Sequence, residues 1–231
     1  NAWTKGLINV VGIVDVLMLE NNVYDVALTQ NVEQFTVYTR YGEAAPIIPA
    51  SGHCRNPVQE EDIHKAVMRK IGLISDTHGV FSEEFRTFLQ PVDEIWHAGD
   101  FGGGLELAEE IAKFKPVKGV AGNCDNYDLR YTHPVHRFFE CEGLKVLMTH
   151  IGGYPGRYDA RALKLINEYR PDIFVCGHSH ILKVVRDTKR NMLVINPGAA
   201  GIQGFHLVRT ALRFKIDGGR ISDMEVYELD R

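Results

Sequence analysis

The sequence predicts an α/β fold for residues 68–231. Apolar runs of strand length recur along residues 71–176, and segments of helical periodicity fill several of the gaps between them. Alternation of strands and helices is typical of parallel pairing, because parallel neighbours need a long crossover connection. After Gly177 helical periodicity gives way to strands joined by turns, so antiparallel strands should follow.

The elements can be predicted in chain order. In the first part, strands are expected at 71–75, 94–97, 117–121, 145–149 and 172–176, and helices at 81–89, 105–114 and 158–169. Ser82 is a candidate N-cap, because Glu83 and Glu84 follow it in the first turn. In the second part, strands are expected at 181–186, 192–195, 208–216 and 221–229, with a turn at 217–219.

Residues 1–67 contain no motif and only weak periodicity. The pattern indicates strands at 23–29 and 35–41, a linker over 43–56 and a short helix over 59–67. We expect this segment to be an N-terminal extension of unknown role, either non-native or poorly packed, before a self-sufficient domain at 68–231. The chain opens with Asn-Ala rather than Met, which indicates a processed, tagged or truncated start.

Composition and charge exclude several classes of protein. Apolar residues make up 45% and charged residues 24%, which argues against collagen, coiled coil and wholesale disorder. The 26 Lys and Arg oppose 30 Asp and Glu; four basic and eight acidic residues lie before residue 68, leaving 22 of each sign after it. A balanced domain is a poor partner for duplex nucleic acid or a membrane. Four scattered cysteines and no bilayer-length apolar run indicate the cytoplasm.

A metal-ligating or polar side chain follows each of the first five predicted strands. These residues are Asp76 and His78, Asp100, Asn123, His150, and His178 with His180. Sites form at the carboxyl ends of strands in open α/β sheets, so these groups should converge. Glycines before three of them, Gly99, Gly122 and Gly177, allow the backbone a close approach.

The chemistry of these side chains predicts a metal centre. Two carboxylates, four imidazoles and one amide oxygen are too many for one tetrahedral ion, but they suit two ions that share a carboxylate. Mixed nitrogen and oxygen ligation suits manganese, iron, zinc or nickel better than calcium or magnesium. Manganese is the metal we expect, with zinc, iron or nickel as alternatives.

Other histidines have plainer interpretations. His97 lies within a strand, where it belongs to the core or orients a ligand. His133 and His136 are expected in a surface loop beside Pro134. His206 either approaches the site or has a structural role.

Arg130, the glycine run and two cysteines also have plain interpretations. Arg130 is expected to be a solvated side chain, with contact to a substrate phosphate as the alternative. The glycines at 102–104 are not followed by Lys-Ser/Thr and predict a flexible loop. Cys141 and Cys176 are expected to be small buried apolar residues.

The ordered motifs D-x-H, G-D, G-N, a lone His and G-H-x-H resemble the calcineurin-like metallophosphoesterase superfamily, and within it the small phosphodiesterases typified by YfcE. The resemblance covers residues 68–231. It implies a four-layer β-sandwich of two mixed sheets flanked by helices. It also implies a ligand set for each ion, the first made of Asp76, His78 and His180 and the second of Asn123, His150 and His178, with Asp100 bridging. Attack on phosphorus would come from a metal-bridging hydroxide.

One position departs from the superfamily pattern. The fuller motif is G-N-H-[DE], whose histidine protonates the leaving group, whereas this chain has Gly122-Asn123-Cys124-Asp125. Asn123 and Cys124 are the candidate catalytic residues. Because a thiol is a poorer general acid, we expect a preference for good leaving groups unless the substrate supplies its own proton. Participation of Cys124 in leaving-group protonation is left open.

The sequence therefore predicts a cytoplasmic, dinuclear metal-dependent phosphodiesterase acting on a small phosphodiester. The alternative is a protein-interaction scaffold like the retromer subunit Vps29, with a vestigial metal site. A nuclease is disfavoured because residues 68–231 show no basic stripe.

Overall fold

The computed structural model describes residues 7–9, 17–19, 22–24 and 68–231. Before residue 68 it gives three short strands, β1 (Leu7–Asn9), β2 (Leu17–Leu19) and β3 (Asn22–Tyr24). The predicted strand at 23–29 overlaps the end of β3. The predicted strand at 35–41, the linker and the helix over 59–67 lie outside the described residues.

Residues 68–231 contain four helices and twelve strands. In chain order they are β4 (Arg69–Ile74), α1 (Glu83–Leu89), β5 (Glu94–His97), α2 (Leu105–Phe114), β6 (Val117–Gly119), α3 (Tyr127–Thr132), β7 (His136–Cys141), β8 (Leu144–Thr149), β9 (Gly153–Tyr154), β10 (Arg157–Tyr158), α4 (Ala160–Tyr169), β11 (Ile173–Val175), β12 (Leu182–Asp187), β13 (Met192–Pro197), β14 (Val208–Asp217) and β15 (Arg220–Asp230). None of the helices in this part of the chain is long and apolar enough to cross a membrane.

The first sheet has the strand order β1-β15-β14-β4-β5-β6. Its central strands β4, β5 and β6 are parallel, with Leu73 opposite Trp96, whereas β14 is antiparallel to β4 and β15 to β14. The short β1 is antiparallel to β15 at the edge, with Ile8 opposite Val226.

The second sheet has the order β12-β13-β11-β8-β7. Its strands β8, β11 and β13 are parallel, and β7 and β12 are antiparallel edge strands. Both sheets are therefore mixed, as predicted. Two further pairs, β2 with β3 and β9 with β10, form separate two-stranded ribbons.

The main core lies between the two sheets, because alternate side chains of each strand point to opposite faces. Fully buried examples are Ile71, Leu73 and Trp96 from the first sheet and Val146, Met148, Val175 and Ile195 from the second. Burying one such side chain contributes about 1.5–3 kcal/mol.

Helices cover the outer face of each sheet. Helices α1 and α2 place Phe85, Leu89 and Ile111 against Ile74 and Ile95 of the first sheet. Helix α4 places Ala162 and Ile166 in a cluster with Leu147 and Phe174 of the second sheet. The layers run helix, sheet, sheet, helix, which confirms the predicted four-layer sandwich.

The prediction was wrong between residues 127 and 141. His136 opens strand β7 rather than lying in a loop, whereas His133 lies as expected in the short connection between α3 and β7, beside Pro134. Strand β7 is an edge strand with only its last residue, Cys141, buried, so it lacks a clear apolar pattern. Helix α3 is only six residues long, too short for a clear helical periodicity. The sequence feature that marks its start is the N-cap Asn126, whose side-chain oxygen accepts the Leu129 N–H. Ser82 occupies the predicted N-cap position of α1, but its hydroxyl makes no capping hydrogen bond.

Candidate metal centre

The site lies where carboxyl ends of the two sheets meet. Asp76 follows β4 and Asp100 follows β5 in the first sheet, whereas His150 follows β8 in the second, and His178 and His180 follow β11 there. Asn123 follows β6. The predicted groups therefore converge from two facing sheets rather than from one.

Backbone conformation is unusual at the predicted ligands. Nine non-glycine residues of the described part have positive φ, and five of them are predicted ligands: Asp76 (52°), His78 (44°), Asp100 (55°), His178 (68°) and His180 (57°). A left-handed backbone costs roughly 1–2 kcal/mol for a residue with a Cβ. Such strain clusters at functional sites, where the surrounding structure holds it.

The carboxylate of Asp76 has one anchored oxygen and one free oxygen. Oδ2 accepts hydrogen bonds from the Ser75 hydroxyl at 2.6 Å and from the His178 backbone N–H at 3.0 Å. Oδ1 is buried without a hydrogen-bond partner. It lies 3.1 Å from Nε2 of His180 and 3.9 Å from Nε2 of both His78 and His150. Three imidazoles therefore face one carboxylate oxygen.

The two carboxylate oxygens of Asp100 also have different contacts, one with the backbone and one with histidines. Oδ1 accepts the backbone N–H of Cys124 at 2.8 Å. Oδ2 lies 3.2 Å from Nε2 of His150 and 3.9 Å from Nε2 of His78. Burial raises the pKa of Asp100, but His150 and the bonds from Cys124 outweigh it and hold the pKa well below its ordinary value. Asp100 is therefore ionised at neutral pH, as a metal ligand requires.

His150 presents a free nitrogen to the site. Its Nδ1 lies 2.8 Å from the Ala98 carbonyl, which can only accept, so Nδ1 carries the proton and donates it. Nε2 is buried without a hydrogen-bond partner. Burial lowers the pKa of His150, but Asp100 and Asp76 outweigh it and raise the pKa. A cation bound at Nε2 would displace any proton held there.

The histidines and aspartates divide into two groups that could each hold a metal ion. In each group the ligand atoms lie within 4.8 Å of one another, and the groups are Asp76, His78 and His180, and Asp100, His150 and His178. The first group contains the residues expected at one ion, and the second those expected at the other apart from Asn123. The side chains thus fit divalent metal ions, since orphaned buried lone pairs cost free energy unless a cation satisfies them.

Asn123 and Cys124 lie on the exposed side of the site. The Asn123 amide donates to the Cys124 sulfur at 3.2 Å. The role of Asn123 as a ligand stays a prediction. Cys124 Sγ lies within 4.8 Å of ligand atoms of His78 and Asp100. Desolvation, together with a hydrogen bond to Asp100, raises the pKa of the Cys124 thiol to about 11. The metal-free protein therefore holds a neutral thiol at this position.

Asp125 anchors the turns that carry the ligands, a role that the sequence analysis missed. This buried carboxylate accepts backbone N–H groups from Asp100 at 3.0 Å, Gly122 at 2.7 Å and Gly102 at 3.1 Å. It therefore ties the turn after β5 to the turn after β6. The available signal was its place as the last residue of the Gly-Asn-Cys-Asp motif.

His97 is a core residue that also holds the turn between Asp76 and His78. Its Nδ1 accepts the Gly99 N–H at 3.1 Å, so Nε2 carries the proton and donates to the Thr77 hydroxyl at 2.9 Å. The ring is fully buried and stacks on Phe101 at 3.5 Å. Burial lowers its pKa well below the ordinary value. A neutral His97 therefore buttresses Thr77.

The close packing requires glycine at two turns. A Cβ on Gly122 would lie 2.0 Å from Oδ1 of Asp100, and one on Gly177 would lie 2.0 Å from the Ser75 hydroxyl oxygen. Both distances are far below van der Waals contact. The predicted close approach of the backbone at these glycines is confirmed.

The remaining candidates have structural contacts. Arg130 is exposed, as expected, but its guanidinium also donates to the carbonyls of Gly122 at 3.3 Å and Asn123 at 3.0 Å. Cys141 and Cys176 are buried, as predicted. His206 does approach the site, because its Nδ1 lies 3.1 Å from Nδ1 of His180.

Comparison with known proteins identifies the family. The family model of the calcineurin-like phosphoesterase superfamily domain matches residues 68–219. A probable metallophosphoesterase from Methanothermobacter thermautotrophicus is 33% identical over 135 residues, which cover 56% of this chain and 76% of that protein. The chain therefore belongs to the calcineurin-like phosphoesterase superfamily.

Solved structures share the fold. Vps29 from Chaetomium thermophilum superposes with a TM-score of 0.58 at 16% identity, covering 71% of this chain and 92% of that one. Vps29 from Entamoeba histolytica, solved in complex with zinc, has a TM-score of 0.50 at 17% identity, covering 70% and 98%. At such identities these structures support the fold alone.

Proposed function

We propose that this protein is a dinuclear metal-dependent phosphodiesterase. The observation that carries the proposal is the pair of buried, unpartnered ligand atoms, Asp76 Oδ1 and His150 Nε2, which face each other across the two sheets. A site without metal leaves both atoms unsatisfied.

Manganese is the proposed metal, with zinc, iron or nickel as alternatives, because the ligand set mixes carboxylate oxygen with imidazole nitrogen. The first ion would be held by Asp76, His78 and His180 and the second by His150, His178 and Asn123, with Asp100 between them. Two divalent cations exceed the charge of two carboxylates, which gives the loaded site about two positive charges and suits it to a phosphate anion.

The residues of this chain would hold and orient the phosphodiester. When bound, divalent ions polarise phosphoryl oxygens and lower the pKa of water. Asp100 and Asp76 stay in fixed orientation because one oxygen of each is tied to a hydroxyl or backbone N–H. The amide of Asn123 would donate to a phosphate oxygen. Cys124 stands where the superfamily places a histidine, so protonation of a poor leaving group would be weak.

We propose a small phosphodiester as the substrate because of the net charge of the domain. Residues 68–231 carry equal numbers of acidic and basic side chains, which provides little attraction for duplex nucleic acid or an anionic membrane. A cytoplasmic location remains part of the proposal, since three of the cysteines, Cys124, Cys141 and Cys176, are free.

A scaffold of the Vps29 kind is the second candidate. The resemblance of the fold to Vps29 structures favours it. Exposed apolar side chains beside the site, including Ile181, Phe205 and Leu207, could contact a protein partner. The complete set of ligand side chains favours the enzyme.

The test is turnover of bis(p-nitrophenyl) phosphate with added Mn²⁺, in the wild type and in Asp100→Asn. The matched control is Asp93→Asn, because Asp93 precedes the same strand at its other end and accepts the Lys70 N–H at 2.7 Å. We expect metal-dependent turnover that falls at least ~10²-fold in Asp100→Asn and is kept in Asp93→Asn. Wild-type protein that stays inert with Mn²⁺ would favour the scaffold.

A further inference from the structure

We propose that His206 is a positioning residue that fixes the tautomer and orientation of His180, so that binding of one of two metal ions depends on it. The inference rests on the proposed function, because it takes His180 as a ligand. His206 lies outside the five motifs, on the loop between β13 and β14.

The proton positions follow from the acceptor at the far side of His206. Its Nε2 lies 3.0 Å from the Gly201 carbonyl oxygen, which can only accept, so Nε2 carries the proton. In a neutral imidazole, Nδ1 is then an acceptor. Nδ1 of His206 lies 3.1 Å from Nδ1 of His180, so His180 donates from Nδ1. Nε2 of His180 keeps its lone pair and faces Asp76 Oδ1 at 3.1 Å.

These contacts form a closed ring of four residues, two of which, Asp76 and His180, are predicted ligands. The Gly201 N–H donates to the Asp76 carbonyl at 2.9 Å, and the Gly201 carbonyl accepts from His206. His206 orients His180, whose Nε2 returns to the Asp76 side chain. Gly201 therefore fixes the distance between Asp76 and His206.

The loop is shaped to bring the two rings together. Gly204 has a φ of 125°, and a Cβ there would lie 2.4 Å from Nδ1 of His180 and 3.1 Å from Nδ1 of His206. Arg231 holds the loop from outside, since its guanidinium donates to the Gly204 carbonyl at 2.7 Å. Any side chain at 204 would therefore separate the pair.

The two groups of ligands differ in how their histidines are oriented. His150 in the second group donates to the backbone carbonyl of Ala98 at 2.8 Å, a contact that no substitution at 206 removes. The orientation of His180 in the first group depends instead on the side chain of His206. Loss of His206 should therefore weaken the binding of one ion and leave the binding of the other unchanged, whereas general misfolding would weaken the binding of both.

The test compares His206→Phe with His206→Asn. Phe removes the acceptor at similar size, whereas the Asn oxygen can take the place of Nδ1. Mn²⁺ and Zn²⁺ binding are measured by calorimetric titration and by metal content after gel filtration. We expect two ions in the wild type, a 10- to 100-fold weaker affinity for one ion in His206→Phe, and recovery of most of that affinity in His206→Asn.

A second readout does not depend on metal. Nitrogen-15 NMR of the metal-free protein reports the imidazole tautomers, and we expect His180 to be protonated at Nδ1 in the wild type and to lose this preference in His206→Phe. Circular dichroism checks that the variants are folded; where His206→Phe is not, Gly204→Ala replaces it with the same expectation.

Three results would overturn the inference. They are unchanged affinity for every ion in His206→Phe, equal weakening in the Phe and Asn variants, and an unchanged His180 tautomer. A wild type that binds no metal would contradict the proposed function itself, and the tautomer experiment would still decide the contact between His206 and His180.

Discussion

Asp76 Oδ1 and His150 Nε2 lie 3.9 Å apart, and both are buried without a hydrogen-bond partner. The two residues come from different sheets, so their proximity depends on the packing of the whole sandwich. Leaving a buried polar group unsatisfied costs about 1–3 kcal/mol. The folded protein therefore holds two ligand atoms at a cost that a bound cation would remove.

Metal binding should stabilise the folded protein through these atoms. At a free Mn²⁺ concentration of 100 times Kd, the free energy of unfolding should rise by about 2.7 kcal/mol for each ion bound, measured by chemical denaturation. His150→Asn can keep the hydrogen bond to Ala98 but lacks the Nε2 ligand atom, so its stabilisation by Mn²⁺ should be clearly smaller. Equal stabilisation of both proteins would show that the metal binds elsewhere.

Cys124→His should restore a general acid. We expect a gain of roughly 10²-fold in kcat/KM on an alkyl phosphodiester, whose leaving group needs a proton, and little gain on a nitrophenyl phosphodiester. Cys124→Ser serves as a control for a change at this position that adds no imidazole. Equal gains of the His variant on both substrates would count against the leaving-group explanation.

Asp187, which is not one of the predicted ligands, should make the free energy of unfolding depend on pH in the acid range. Burial raises its pKa, but hydrogen bonds from the Tyr158 hydroxyl at 2.9 Å and the Arg190 guanidinium at 3.0 Å outweigh it, so the pKa falls below the ordinary 3.8. A lowered pKa means that the ionised form stabilises the folded state. This contribution is full above the ordinary value and is lost as pH falls through the folded-state pKa.

The measurement is the free energy of unfolding of wild type and Asp187→Asn between pH 7 and pH 2. The wild type should be more stable at pH 7, and the difference should shrink below about pH 4. A difference that stays constant down to pH 2 would show that Asp187 acts through packing rather than charge.

Deletion of residues 1–67 should leave a folded and active domain. The family match begins at residue 68, and the main core between the sheets is built from residues 71–226. Removing β1 frees one edge of β15, so a small loss of stability is expected. Circular dichroism and phosphodiester turnover of the deletion variant provide the check; loss of either would mean that the domain needs the extension to fold or to act, beyond the edge contact of β1 with β15.

Much of the site could be predicted because ligand types recur where strands end. Asp76, Asp100 and His150 each follow an apolar run directly or within two or three residues, and local sequence carries that signal. It does not carry strand pairing, which is non-local, so the expectation of a second sheet came from the family resemblance, and the place of β8 and β11 in that sheet was not predicted.

Residues that act through the backbone were harder to predict. Asp125 accepts three backbone N–H groups from residues up to 25 positions away in the sequence. No rule of sequence spacing identifies such partners. The partner of His206 is 26 residues away and lies on another loop. Strand β7 was missed because an edge strand has only a partly buried face, which weakens the apolar pattern.

Anomalous diffraction from crystals grown with Mn²⁺ would locate the metal ions themselves. We expect two peaks where the carboxyl ends of the two sheets meet, one within the group of Asp76, His78 and His180 and one within the group of Asp100, His150 and His178. Peaks that lie elsewhere, or none at this site, would contradict this expectation.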